Sequence, residues 1–104
     1  MDQLSIRLSR KPSGTEVEKL CSAAEDAVEQ VIESRIGFKH LEDLRVTVRA
    51  DGTKPLRLTV DLDLTPSHRS SELDSILGEA TDAAFSAVER KALELKLCRK
   101  AKTA

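Results

Sequence analysis

Residues 44–66 read LRVTVRADGTKPLRLTVDLDLTP, and this stretch decides the fold. In its first half Leu44, Val46, Val48 and Ala50 alternate with Arg45, Thr47 and Arg49. In its second half Leu56, Leu58, Val60, Leu62 and Leu64 alternate with Arg57, Thr59, Asp61 and Asp63. Side chains point to opposite faces at successive strand positions, so each half has one apolar and one polar face. Asp51-Gly52 between them is a turn signal, and Pro55 suits a strand entrance because it has no N–H for the ladder. The reading is a β-hairpin with a loop of residues 51–55. If Ala50 pairs with Leu56, then Arg49 faces Arg57, Thr47 faces Thr59 and Arg45 faces Asp61.

Working outward, Leu4, Ile6 and Leu8 alternate with Ser5, Arg7 and Ser9, which predicts a short strand over Gln3–Ser9. A break at Arg10–Gly14 precedes Thr15 and Glu18, a capping-box pair, with Ser13 and Glu16 as the alternative. The helix that follows carries Val17, Leu20, Cys21, Ala24, Ala27, Val28, Val31 and Ile32 at spacings of three and four. Gly37 ends it, and Phe38 folds back on its last turn. After Pro66, Ser70 or Ser71 caps a second helix. Its stripe runs Leu73, Ile76, Leu77, Ala80, Ala84, Val88, Ala92 and Leu95, widened by Ala83, Phe85 and Ala87. Gly78 inside it costs roughly 1 kcal/mol against alanine, which suggests a close approach. The segment from Leu97 to Ala104 reads as a loose basic tail.

The order is therefore βαββα. A strand–helix–strand crossover favours parallel strands, and the hairpin must be antiparallel. The sheet order 1-3-2, with Leu56–Leu64 central, satisfies both. Two helices then cover the apolar face, giving an α/β two-layer sandwich over residues 1–97 and a basic tail over 98–104.

Composition narrows the function. The chain has 104 residues, enough for one domain with a small core, and an aromatic content of 2% makes that core aliphatic. A charged fraction of 34% with a net charge of −1 describes a solvated surface without a basic excess. No apolar run approaches the ~20 residues of a membrane span, and the N-terminus lacks a signal-peptide layout, so the expectation is a cytoplasmic protein. Cys21 lies on a helix stripe and Cys98 in the tail, without CxxC spacing. His40 and His68 sit in separate loops. No metal-ligand spacing, phosphate-cradling glycine loop or nucleophile arrangement is present, and Ser67, Ser70 and Ser71 read as turn and cap residues. No enzyme, cofactor, metal or small-molecule substrate is expected.

The open sheet face is the candidate site: Arg7, Arg45, Thr47, Arg49, Arg57 and Thr59. Arg49 opposite Arg57 is unfavourable unless an anionic group meets the pair. The first helix is acidic, with Glu16, Glu18, Glu25, Asp26, Glu29 and Glu33 against Lys19 and Arg35, so the reading is a polarised molecule with a basic sheet side. A solvated face shielded by arginine stems is the plain alternative to a binding role. Stacking aromatics are missing from the face, which argues against splayed RNA bases, although phosphate contact needs only arginine and lysine. The expectation is a non-enzymatic interaction domain that forms a homo-oligomer or docks a protein partner through this face. RNA-backbone binding through the same face and the basic tail is the second choice.

The hairpin of residues 44–66 followed by ELDSILGEATDAAFSAVER, residues 72–90, resembles a small archaeal family of unassigned function. The resemblance spans most of residues 15–95 and implies a compact cytosolic α/β domain; it transfers no catalytic or binding residue. The helix–hairpin–helix order is also similar to alkaline-shock-type domains, by analogy of architecture alone.

Overall fold

The computed structural model describes residues 2–8, 10–52, 56–67 and 72–97. The elements are β1 (Asp2–Ile6), α1 (Gly14–Arg35), a 3₁₀ turn (Phe38–His40), β2 (Leu41–Asp51), β3 (Leu56–Pro66) and α2 (Leu73–Glu94). The sheet order is β1-β3-β2. β3 is antiparallel to both neighbours, so β1 and β2 run parallel with β3 between them. The two-layer arrangement read from the alternating pattern is the observed one.

The apolar faces meet between the layers. Ile6, Leu56, Leu58 and Val60 from the sheet pack with Leu20, Ala24, Val28 and Ile32 of α1 and with Ala80, Ala84, Val88 and Ala92 of α2. Alanine dominates the α2 stripe, and small side chains let helix surfaces approach closely. Among the described residues the buried polar side chain is Thr81; its hydroxyl donates to the Leu77 carbonyl at 3.0 Å, so nothing polar is left unpaired there.

Local signals explain the boundaries. Ser13, not Thr15, caps α1: its hydroxyl accepts from the Glu16 amide while the Glu16 carboxylate accepts from the Ser13 amide. Gly37 follows the last turn at φ 88°, and its amide donates to the Ile32 carbonyl at 3.0 Å. Arg10 ties the far ends of the helices together. Its guanidinium donates to both Glu16 carboxylate oxygens, at 2.8 and 2.6 Å, and to the Leu95 carbonyl at 2.8 Å. That hydrogen bond, with the Ser13 amide behind it, lowers the Glu16 carboxyl pKa to about 2.

Four expectations change. β1 ends at Ile6, so Arg7 lies just beyond the strand, although Leu8 is still buried. Gly78 faces solvent with open space where a Cβ would stand, so close packing is not its role. Leu97 is fully buried rather than part of a tail. Lys96 adopts a left-handed φ of 59°, which turns the chain so that Leu97 re-enters the core and its amide reaches the Ala92 carbonyl at 2.9 Å. Finally, α2 begins at Leu73 without a side-chain cap bond; the expected caps Ser70 and Ser71, like His68, Lys54, Pro55 and residues 98–104, lie outside the described residues.

Candidate interaction surface

The sheet's second face is left open by the helices, and the alternating pattern puts all the expected site residues on it. Arg45, Thr47 and Arg49 project from β2, and Arg57 and Thr59 from β3. All but Thr59 are exposed, as is Arg7 past the end of β1. Thr59 accepts a 3.4 Å hydrogen bond from the Gln3 amide, which links β1 to the centre of the face.

Their partners differ from the expected ones. The observed register sets Asp51 opposite Arg57, Arg49 opposite Thr59, Thr47 opposite Asp61 and Arg45 opposite Asp63. It is shifted by two residues from a hairpin closed at Ala50 and Leu56. A shift of two keeps every side chain on its own face, so hydrophobic alternation cannot detect it. Charge can: the observed register removes the Arg–Arg confrontation and sets two arginines opposite aspartates, Arg57 opposite Asp51 and Arg45 opposite Asp63, where the expected one set only Arg45 opposite Asp61. The closing pair is Asp51 with Arg57, and Gly52 turns the chain at φ 80°.

The face is consequently not basic. Arg7, Arg45, Arg49 and Arg57 are matched by Asp43, Asp51, Asp61 and Asp63, and Arg45 lies 3.8 Å from the Asp43 carboxylate. The balance stays hidden in the sequence while the arginines are weighed against the α1 acids instead of against the aspartates of their own face. The Asp51–Arg57 complementarity was the available signal. Arg49 and Asp61 face threonines across the strands, and neither makes an ion pair with another described residue. Both line a depression of about 550 Å³ together with Gln3, Thr47, Asp51 and Thr59.

Other chemistry is sparse. Among the described residues no group of three His, Cys, Asp or Glu side chains is placed to hold a metal. Cys21 is half-buried, and burial, with Glu25 and Glu18 nearby, pushes its thiol pKa up, away from the reactive thiolate. No described helix is long and apolar enough to cross a membrane.

Two antiparallel helices over one face of a 1-3-2 antiparallel sheet, with a polar open face, define a small α+β sandwich domain. Residues 9–91 match the model of the DUF3194 family, proteins of unknown function, and the chain belongs to that family. Two solved structures from archaea share the fold. One, a crystal structure from Thermococcus onnurineus NA1, has a TM-score of 0.71 at 22% identity and covers 90% of this chain and 91% of that one. The other, the solution structure of the hypothetical protein mth677 from Methanothermobacter thermautotrophicus, has a TM-score of 0.69 at 23% identity, covering 84% and 96%. No curated protein matches.

Proposed function

We propose that the chain is a non-catalytic, cytoplasmic interaction module that self-associates through the open face of its sheet. One observation carries this reading: Arg49 and Asp61 stand in the same depression, and neither has an opposite charge facing it across the strands. A two-fold axis through the depression sets Arg49 of one copy against Asp61 of the other, twice. Isologous pairing of this kind needs a patch complementary to itself, and a face with equal numbers of cations and anions supplies one. The same balance disfavours a polyanion, because Asp43, Asp51, Asp61 and Asp63 repel phosphates as strongly as the arginines attract them.

Sedimentation velocity at micromolar concentration tests the proposal. The expected result is a dimer that Arg49→Glu dissociates and that the charge swap Arg49→Glu with Asp61→Arg restores. Added salt should weaken it, since exposed charges are screened within about 8–10 Å at 0.10–0.15 M. A monomer at high concentration overturns the proposal. So does a gel shift with RNA at low salt that the Arg49→Glu variant loses, which would return the face to nucleic acid.

A further inference from the structure

A second surface lies on the other side of the sheet, at its β2 edge. β2 is an 11-residue strand at the end of the sheet order, and its outer edge pairs with no other described strand. An open edge presents unpaired N–H and C=O groups at alternate residues, ready to accept a further strand. Beside this edge a groove of about 520 Å³ runs between β2 and α1. Its apolar floor is Phe38, Leu41, Leu44 and Val46, and Phe38 is 44% exposed. Its rim is Glu25 and Glu29 from α1 with Glu42 and Asp43 from β2, Asp43 standing at the edge within 3.8 Å of Arg45, and no described cation lines the groove itself. A shallower depression shares Glu29 and Phe38 and carries the acidic wall on past Asp26 and Glu33. The Glu33 carboxylate is already engaged by the Phe38 amide at 2.7 Å, so Glu25 and Glu29 are the carboxylates to count on.

We infer that this groove receives an extended peptide segment with lysine or arginine at every second position, added to the sheet as a fourth strand along β2. The chemistry follows from the two sides of the groove. An incoming strand hydrogen-bonds the β2 backbone and turns alternate side chains toward the helix layer. There a side chain meets aliphatic surface first and carboxylates beyond it. Lysine and arginine fit that sequence of environments, with the stem over Leu44 and Val46 and the head at Glu25 and Glu29. The intervening side chains meet Arg45, Thr47 and Arg49 on the open face, where threonine or serine fits. This surface is separate from the Arg49–Asp61 depression and does not depend on it.

The test is an amide NMR titration of the full chain with a peptide of about ten residues alternating lysine and threonine. A block peptide of the same composition, lysines first, and an alternating glutamate–threonine peptide are the controls. The expected result is saturable shifts along Leu41–Val48 and the facing turns of α1, several-fold weaker binding of the block peptide, and none of the acidic one. Glu25→Lys with Glu29→Lys should lower the affinity several-fold, and Glu25→Gln with Glu29→Gln by less. Both variants change exposed or half-exposed positions and should keep the parent circular dichroism spectrum. Equal binding of the block peptide, shifts confined to Arg49 and Thr59, or no shifts at millimolar peptide overturn the inference. So does a β2 edge protected from hydrogen exchange in a dimer of this chain, which would make a second copy the occupant.

Discussion

The two halves of β3 carry one alternating pattern and reach different depths. Leu56, Leu58 and Val60 are at most 1% exposed, whereas Leu62 and Leu64 are only half-buried. The first half is flanked by β1 on one side and β2 on the other; the second half pairs with β2 alone. Alternation therefore identifies which face of a strand is apolar, and neighbouring elements decide how much of that face leaves water. The less covered half of the hairpin is also where the acidic groove lies.

The largest test of this difference is a pair of truncations. Leu58→Ala should cost about 2–5 kcal/mol, a full cavity in the covered half. Leu64→Ala should cost roughly 1 kcal/mol, because less apolar surface returns to water. Chemical denaturation of both variants measures the contrast, and equal losses would break it. Ser13→Ala sharpens the contrast at the covered end, where it removes the α1 cap at a cost of about 1 kcal/mol. Gly78→Ala should act in the opposite sense, raising stability by up to about 1 kcal/mol, since the site is exposed, helical and open. A drop in melting temperature would mean that α2 meets something at Gly78.

The smallest expected effect is a dependence on acid. The Glu16 carboxyl pKa is lowered from 4.5 to about 2 in the folded chain. A depressed folded pKa gives stability that is fully present above the unfolded value and is lost as pH falls through the folded one. The melting-temperature gap between the parent and Glu16→Gln should therefore hold at neutral pH and close between about pH 4.5 and 2. A gap unchanged at pH 2 would show that the carboxylate's charge is not what joins α1 to Arg10.

The fold was legible because its signals are long. Nine apolar positions at period two and eight at spacings of three and four leave few arrangements of a short chain. The site was legible only as a face. Register depends on which pair closes the hairpin, and on sequence alone Asp51 falls in the loop and Arg57 in the strand, so the two do not stand out as partners. Leu97 escaped because its burial rests on a single left-handed residue, Lys96, after the helical period has ended. Ser13 and Thr15 offered equally good caps on paper; the Arg10 bridge to Glu16 favours the first, and that bridge is a tertiary contact.

The central position of β3 has a consequence for the order of assembly. Gln3 meets Thr59 across 56 residues of chain, so β1 cannot pair with β3 until β3 has left the ribosome. Until then its apolar side chains have no sheet to enter, and loop closure over that span makes its docking a late step in folding. During synthesis, the N-terminal strand is the segment that waits.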